Sequence, residues 1–164
     1  MCIRDSPGSK DLFLVASKRS AGRSMFCGKQ EFIIQDIEEF NFSQVEIAFF
    51  SAGAETAEKY APIAVSKGCT VIDNSSQFRT DLDKPLIVPE VNSKDLKNFK
   101  LPGIIANPNC STAQLVVALK PIHDLFKIER VDVASYQSVS GTGKEGIDEL
   151  LEQTESFLNK KEIK

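Results

Sequence analysis

The sequence predicts an α/β fold built on a mostly parallel sheet. Short apolar runs of strand length recur along the chain, and segments of helical length separate them. Parallel strands need long crossover connections, which helices usually supply. Neither internal repeats nor low-complexity tracts interrupt this alternation. The pattern therefore favours a globular protein in which helices cover a parallel sheet.

The first predicted strands lie near the amino terminus. Residues 11–16 (DLFLVA) form a short apolar run, and a polar loop follows it. Residues 25–26 and 31–34 flank Gly28 and predict a hairpin-like pair of strands. Residues 45–50 (VEIAFF) predict a buried strand that ends in a loop of small residues. These runs account for the first part of the predicted sheet.

The middle of the chain predicts one helix between strands. Residues 55–67 have a helical pattern that Gly68 ends, because glycine readily adopts the left-handed conformation that follows many helices. Strands are predicted at residues 69–73 (CTVID), where Cys69 would be buried, and at residues 103–106 (GIIA). This order is typical of a parallel sheet with crossover helices.

The carboxyl-terminal part predicts two helices and a second sheet region. A helix begins near Cys110, and we expect Pro121 to bend or shorten it. Residues 131–139 alternate in strand fashion and predict the opening of another domain. Residues 145–158 form a strongly amphipathic helix.

Charge and composition exclude several classes of protein. The formal net charge of −3 argues against a nucleic-acid-binding protein, which would usually be basic. No apolar run approaches the ~20 residues that cross a bilayer, and the amino terminus lacks a signal-peptide pattern. Four scattered cysteines and a single histidine are a poor set of zinc ligands. We therefore expect a cytoplasmic protein without a metal site, a membrane segment or a nucleic-acid partner.

Cys110 is the residue that points most directly to chemistry. It follows a strand and the turn Asn-Pro-Asn, and it opens a helix for which Asn109 is a suitable N-cap. The positive end of a helix dipole stabilises a thiolate, which is the form of cysteine that attacks carbonyl groups. Taken alone, Cys110 fits equally well as a small residue that fills a tight turn.

Six motifs in one order resemble a known family. They are LVASKRSAG, FFSAG, VIDNSSQFR, PLIVPEVN, NPNCST and SYQSVSGTGKE, and together they resemble aspartate-semialdehyde dehydrogenase from about Pro7 to the end of the chain. The related N-acetylglutamyl-phosphate reductases have a different context around their cysteine. The resemblance implies an NADP-dependent phosphorylating oxidoreductase that interconverts aspartate semialdehyde and aspartyl phosphate in lysine, threonine and methionine biosynthesis. Members of this family are typically homodimers.

The resemblance implies roles for four residues of the reaction site. Cys110 would attack the aldehyde and carry a thioester, and Gln137 would orient this acyl intermediate. Asn109 and Arg79 would bind the phosphate of the substrate, for which the guanidinium offers a forked donor. Without the resemblance, Arg79 would be interpreted as a solvated surface charge and Gln137 as a polar residue at a strand end.

The resemblance also places NADP-binding residues in three loops. Basic and hydroxyl side chains after a strand suit the 2′-phosphate of NADP, whereas an acidic residue would suit the free hydroxyl of NAD. Small residues after the strand at 45–50 would let the cofactor approach the backbone, and the family's SGTG loop lies near the nicotinamide. The simpler interpretations are a charged loop and a tight turn. The residues expected to bind NADP are Ser17, Lys18, Arg19, Ser20, Ser51, Ala52, Gly53, Ser140, Gly141 and Gly143.

We expect the chain to be the middle of a longer protein. Residues 1–6 (MCIRDS) fit no element and are interpreted as a non-native leader. Residues 7–108 would form an incomplete Rossmann-type NADP-binding domain, and residues 109–164 the start of an α/β catalytic and dimerisation domain. Such a chain is expected to show little catalysis alone, because its acid/base partner would be missing. Two alternatives stay open: an inactive nucleotide-binding remnant, and a related acyl-phosphate reductase with another substrate.

Overall fold

The structure is a computed structural model that describes residues 12–163. The chain divides into two compact units between Pro121 and Ile122. The leader predicted at residues 1–6 lies outside the described residues, as does the first residue of the strand predicted at residues 11–16.

The first unit begins with a small mixed sheet. Its strands are β1 (Leu14–Ala16), β2 (Ser24–Cys27) and β3 (Gln30–Asp36), in the order β1-β3-β2. Strand β3 is parallel to β1 and antiparallel to β2. Gly28 lies in the two-residue turn between β2 and β3 with φ of 64°, a conformation that favours glycine. The predicted hairpin is therefore confirmed.

A parallel sheet forms the rest of the scaffold of this unit. Strands β4 (Ile47–Phe50), β5 (Thr70–Asp73) and β6 (Ile104–Ala106) pair in that order, all parallel. Helix α1 (Ala54–Ser66) connects β4 to β5. The predicted α/β class with a parallel sheet is thereby confirmed. A short helix α2 (Pro89–Asn92) lies on the connection to β6.

Helix α1 ends in a hydrogen-bonded cap at Gly68. The Gly68 N–H donates to Val65 O at 3.0 Å and the Cys69 N–H donates to Ala64 O at 3.0 Å. Gly68 has φ of 91°, and this pair of bonds is the Schellman arrangement, which satisfies carbonyls that a helix end would otherwise leave unpaired. The predicted end of the helix is confirmed, and the cap leads the chain directly into β5.

The core of the first unit lies between α1 and one face of the parallel sheet. Ala57, Ala61 and Ala64 recur at helical spacing and are almost completely buried. Because alanine is small, the helix approaches the sheet closely and packs against Val71, which is also fully buried. Cys69, Ile104 and Ala106 belong to the same core, together with Phe42 and Phe50.

Strand β4 differs from its prediction in burial. The strand is present, but Ile47 and Phe49 are 55% and 67% exposed, whereas Phe50 is buried. Successive side chains of a strand point to opposite faces, so a helix packed on one face buries only alternate residues. Helix α1 covers the face of Phe50. The apolar run VEIAFF therefore predicted the strand correctly, but only one face of the strand is buried.

The second unit, residues 122–164, contains the end of helix α3 (Cys110–Phe126) and helix α4 (Lys144–Leu158). Helix α4 confirms the prediction at residues 145–158. Pro121 does not end α3, which continues to Phe126. The strand predicted at residues 131–139 is wrong for the described structure, because this segment pairs with no strand among residues 12–163. Alternating apolar residues give a segment one apolar face, as in a strand. The segment becomes part of a sheet only if a neighbouring strand forms backbone hydrogen bonds with it.

Candidate active site

Three loops meet at the carboxyl edge of the parallel sheet. Residues 51–53 follow β4, residues 74–79 follow β5, and residues 107–109 follow β6. Because these strands are neighbours and parallel, their carboxyl ends lie side by side. Ligands of open parallel α/β sheets bind at this edge. Arg79, Asn109 and Cys110, which were predicted from separate motifs, are all supplied by these loops or the helix that follows them.

Cys110 is the first residue of α3 and is exposed. The amide oxygen of Asn109 accepts a hydrogen bond from the Ser111 N–H at 2.9 Å and another from Ser111 Oγ at 2.6 Å. The Ala113 N–H donates to the Asn109 carbonyl at 2.9 Å. These bonds confirm Asn109 as the N-cap of the helix. The Cys110 sulfur lies 4.0 Å from the same amide oxygen, so the thiol stands at the positive end of the helix dipole.

Arg79 joins the loop after β5 to the loop after β6. Its Nε donates to the Asn107 carbonyl at 2.9 Å, and its Nη2 donates to the Asn74 carbonyl at 3.0 Å. The side chain is half-buried, which excludes the interpretation of Arg79 as a solvated surface charge. Two of the guanidinium nitrogens thus donate to backbone carbonyls, and the third nitrogen takes no part in these two hydrogen bonds.

A buried carboxylate orders the loop that carries Arg79. Asp73 is fully buried at the end of β5, and its two oxygens accept from the Ser75 N–H at 3.0 Å and from Ser75 Oγ at 2.7 Å. Ser75 Oγ in turn accepts from the Gln77 N–H at 3.1 Å. Neither Asp73 nor Ser75 was among the predicted site residues. The signal was present in the run Asp-Asn-Ser-Ser after a strand, because such side chains bond nearby backbone groups.

The loop after β1 presents basic and hydroxyl groups. The Ser20 N–H donates to the Ser17 carbonyl at 2.8 Å, which closes a tight turn and leaves Ser17, Lys18 and Arg19 exposed. Within residues 12–163, neither Lys18 nor Arg19 takes part in an ion pair. Exposed cations and hydroxyls next to a strand end are donors suited to a phosphate group.

The loop after β4 leads directly into the start of α1. Gly53 has φ of 93° and precedes α1, whose first turn has no side-chain cap. Among residues 12–163, no side chain caps the first N–H groups of α1, and a helix start of this kind favours an anion. A Cβ atom on Gly53 would meet no atom within 4 Å, so the backbone conformation rather than crowding requires glycine here. Ser51 and Ala52 are exposed beside it.

Comparison with known proteins decides the family. Residues 2–99 match the family model described as semialdehyde dehydrogenase, NAD binding domain, and residues 119–164 match semialdehyde dehydrogenase, dimerisation domain. The chain belongs to the semialdehyde dehydrogenase family. Its first 99 residues therefore contain the family's domain for a nicotinamide cofactor, to which the two loops just described belong.

Relatives in this family are similar over most of the chain. It is 56% identical over 156 residues to the aspartate-semialdehyde dehydrogenase of Shewanella violacea, covering 94% of this chain and 46% of that protein. It is 56% identical over 149 residues to aspartate-semialdehyde dehydrogenase 2 of Vibrio cholerae, covering 91% of this chain and 44% of that protein. The chain thus spans less than half the length of these relatives.

Solved structures of the family have the same fold. The crystal structure of aspartate semialdehyde dehydrogenase II from Vibrio cholerae complexed with ASA gives a TM-score of 0.81 at 53% identity, over 94% of this chain and 46% of that one. The enzyme from Candida albicans with NADP gives a TM-score of 0.61 at 31% identity, over 71% of this chain and 40% of that one.

Four of the predicted family residues lie in the second unit. Gln137, Ser140, Gly141 and Gly143 lie in or beside the turn of 3-10 helix at Val139–Thr142, which precedes α4. A Cβ atom on Gly141 would collide with the Gln137 amide, so glycine at this position lets the amide pack over the turn. Gly143 has φ of 98°, which favours glycine. Gln137 does not end a strand, because residues 131–139 form none.

Cys69 lies at the other edge of the same sheet. It immediately precedes β5 and is fully buried, as predicted. Its sulfur is 3.6 Å from the Thr70 carbonyl. Burial raises the pKa of the Cys69 thiol, because the thiolate would lose its hydration in the apolar core. This cysteine is therefore a core residue of the scaffold.

Proposed function

We propose that this chain forms the cysteine-bearing part of an NADP-dependent aspartate-semialdehyde dehydrogenase, which interconverts aspartate semialdehyde and aspartyl phosphate. The observation that carries the proposal is the placement of Cys110, an exposed thiol at the first residue of α3 on the ligand-binding edge of the sheet. Relatives named for this activity align with more than nine-tenths of the chain. The reaction would serve the biosynthesis of lysine, threonine and methionine.

Cys110 is the nucleophile in this proposal. Its thiolate sulfur forms a bond to the aldehyde carbon of the substrate, and the carbonyl electrons move to the oxygen to give a thiohemiacetal. The N–H groups at the start of α3 stabilise the oxyanion that develops. Bound NADP supplies the acceptor for the hydride of that carbon, so that oxidation leaves a thioester on Cys110. Gln137 orients this acyl group through its amide.

Arg79 and Asn109 bind the phosphate that cleaves the thioester. A phosphate oxygen attacks the thioester carbon, the carbon–sulfur bond breaks, and Cys110 leaves as a thiolate. Arg79 uses Nε and Nη2 on backbone carbonyls, and its remaining N–H groups are donors suited to phosphate. The N-cap uses only the oxygen of the Asn109 amide, so the Nδ2 group is a second donor for the same anion.

The cofactor in this proposal is NADP rather than NAD. Lys18 and Arg19 are exposed after β1, in the loop where a dinucleotide-binding domain contacts the adenosine ribose. Their charges suit a 2′-phosphate. The small residues Ser51, Ala52 and Gly53, and the turn of Ser140, Gly141 and Gly143, complete the proposed contacts with NADP. Residues 119–164 match a dimerisation domain, which supports the further proposal that the protein is a homodimer.

The relative from Shewanella violacea offers a scaffold for the test. In a chimera, this chain replaces the 156 residues of that enzyme to which it aligns. We expect phosphate-dependent oxidation of aspartate semialdehyde with a preference for NADP over NAD. Cys110→Ala should lower kcat by about a thousandfold or more, as loss of the nucleophile does in other covalent enzymes. Cys27→Ala, at the end of β2, is the matched control and should leave turnover near its original value.

Each negative result has a definite meaning. Turnover that survives Cys110→Ala would overturn the mechanism. A folded chimera that binds NADPH without turnover would support a nucleotide-binding remnant instead. Turnover with another acyl phosphate but not with aspartyl phosphate would assign the chain to a related reductase.

A further inference from the structure

Asn74 is hydrogen-bonded to the end of β4, to Arg79 and to Asn107. Its N–H donates to the Phe50 carbonyl at the end of β4, at 2.8 Å. Its carbonyl accepts from Arg79 Nη2 at 3.0 Å. Its side-chain Oδ1 accepts from Asn107 Nδ2 at 2.5 Å. One residue of the loop after β5 is thus bonded to both neighbouring strand ends.

The three residues Asn74, Arg79 and Asn107 form a closed set of hydrogen bonds. Arg79 bonds the backbone carbonyls of the two asparagines, and the asparagine side chains bond each other. The Asn107 N–H also donates to the Asp73 carbonyl at 2.8 Å. The backbone on both sides of the set is fixed as well, because Asp73 and Ser75 order one loop and the buried Pro108 follows Asn107 in the other.

We infer that Asn74 is a positioning residue that sets the distance between the Arg79 guanidinium and the Cys110 turn. The inference rests on the proposed function, in which Arg79 binds the phosphate that attacks the acyl carbon bonded to Cys110. Arg79 is bonded directly to the backbone of the cysteine turn through the carbonyl of Asn107. The Asn74 side chain also accepts a hydrogen bond from the Asn107 side chain. Without the Asn74 side chain, the cysteine turn is held by one hydrogen bond fewer.

A small displacement here has a large kinetic effect. The phosphate oxygen must approach the thioester carbon along one direction, and a misplacement of about 1 Å costs about a hundredfold in rate. The side-chain pair contributes to this alignment without touching the substrate. Loss of this side-chain pair should therefore reduce kcat more than it raises KM. The phosphate held by Arg79 and the acyl carbon held by Cys110 are fully aligned only in the transition state.

The test is a double-mutant cycle in the chimera, with Asn74→Ala, Asn107→Ala and both together. We expect each single variant to lower kcat by about 10- to 100-fold, with a smaller change in KM. The double variant should be no slower than the slower single one, because the two side chains act through one bond. Rates are counted per reactive Cys110, titrated with iodoacetamide, so that unfolded molecules do not contribute.

Asn41→Ala is the matched control. The Asn41 side chain accepts from the Ser43 N–H at 3.1 Å and from Ser43 Oγ at 2.7 Å, before β4 at the opposite edge of the sheet. This variant loses comparable bonds and should keep kcat within about twofold. The inference is overturned if Asn74→Ala is no slower than Asn41→Ala, or if the effects of Asn74→Ala and Asn107→Ala multiply. Failure of the proposed function is seen separately, as turnover of the unsubstituted chimera that is absent or independent of Cys110.

Discussion

Cys69 and Cys110 lie beside neighbouring strands of one sheet but at opposite edges of it. Cys69 comes directly before β5, and Cys110 comes four residues after the end of β6. The first is 0% exposed, whereas the second is exposed. In a parallel sheet the two edges differ, because helices start at the carboxyl edge and end at the amino edge. The direction of the strands therefore separates a buried thiol from an exposed one.

The local structure around each cysteine explains the contrast. The capped end of α1 delivers Cys69 into the core, where desolvation raises the pKa of its thiol. The N-cap Asn109 starts α3 at Cys110, whose exposed sulfur lies at the positive end of the helix dipole. One cysteine lies at the end of a helix cap that buries it, and the other at a helix start that presents it to solvent.

The largest expected difference between the two cysteines is in alkylation rate. With iodoacetamide at about pH 8, we expect Cys110 to react at least a hundredfold faster than Cys69, because a buried thiol must wait for local opening of the structure. Peptide mass spectrometry of the chain, quenched over time, measures both rates. In urea the two rates should converge. Equal rates in the native protein would show that Cys69 is not held in a stable core.

A smaller effect is expected at the N-cap of α3. Asn109→Ala removes the acceptor of the Ser111 N–H and should lower the free energy of unfolding by about 1 kcal/mol. Denaturant titration followed by circular dichroism measures the change. Asn98→Ala, at an exposed position in the connection to β6, is the control and should change stability by less than about 0.5 kcal/mol. A loss at Asn109 no greater than that at Asn98 would mean that other groups define the start of α3.

The smallest effect is the pH dependence that Cys69 gives to stability. Its folded pKa is raised above the ordinary value of 9.0, so the unfolded chain loses this proton first as the pH rises. The contribution is complete below the ordinary pKa and is lost as the pH rises toward the raised folded value. Cys69→Ala should cost about 1 kcal/mol near pH 7, because it leaves a small cavity.

The cost of Cys69→Ala should therefore shrink between about pH 7 and pH 10. Denaturant titrations of the chain and the variant at both values measure this difference, and the variant cancels the titration of all other groups. A cost that grows with pH would mean that the thiolate of Cys69 is stabilised in the folded state.

Local patterns predicted several elements of the fold correctly. The helical spacing of residues 55–67 and the glycine after it identified α1 and its end, because both signals lie within a few residues of each other. The hairpin around Gly28 was predictable for the same reason. The strand expected at residues 131–139 failed, because pairing depends on a neighbour that the pattern of one segment does not specify.

In the candidate site too, some features could be predicted from local sequence and others could not. The position of Cys110 after a strand and at the start of a helix follows from the motif NPNCST, in which proline and asparagine have local preferences. The hydrogen bonds of Arg79 could not be predicted from the motif VIDNSSQFR. Its bond to Asn107 spans 28 positions, and that of Asn74 to Asn107 spans 33. No local signal connects residues so far apart in the chain.

Local sequence patterns were enough to predict the α/β class, the hairpin, the capped helix α1 and the helix that begins at Cys110, because turns, caps and periodicity act over short stretches of chain. The buried face of β4 depends instead on the packing of α1, and the grouping of Asp73, Asn74, Arg79 and Asn107 around the cysteine turn depends on how the strands pair. Parallel pairing of β4, β5 and β6 aligns their carboxyl ends, and only then do loops that are distant in sequence come within hydrogen-bonding distance.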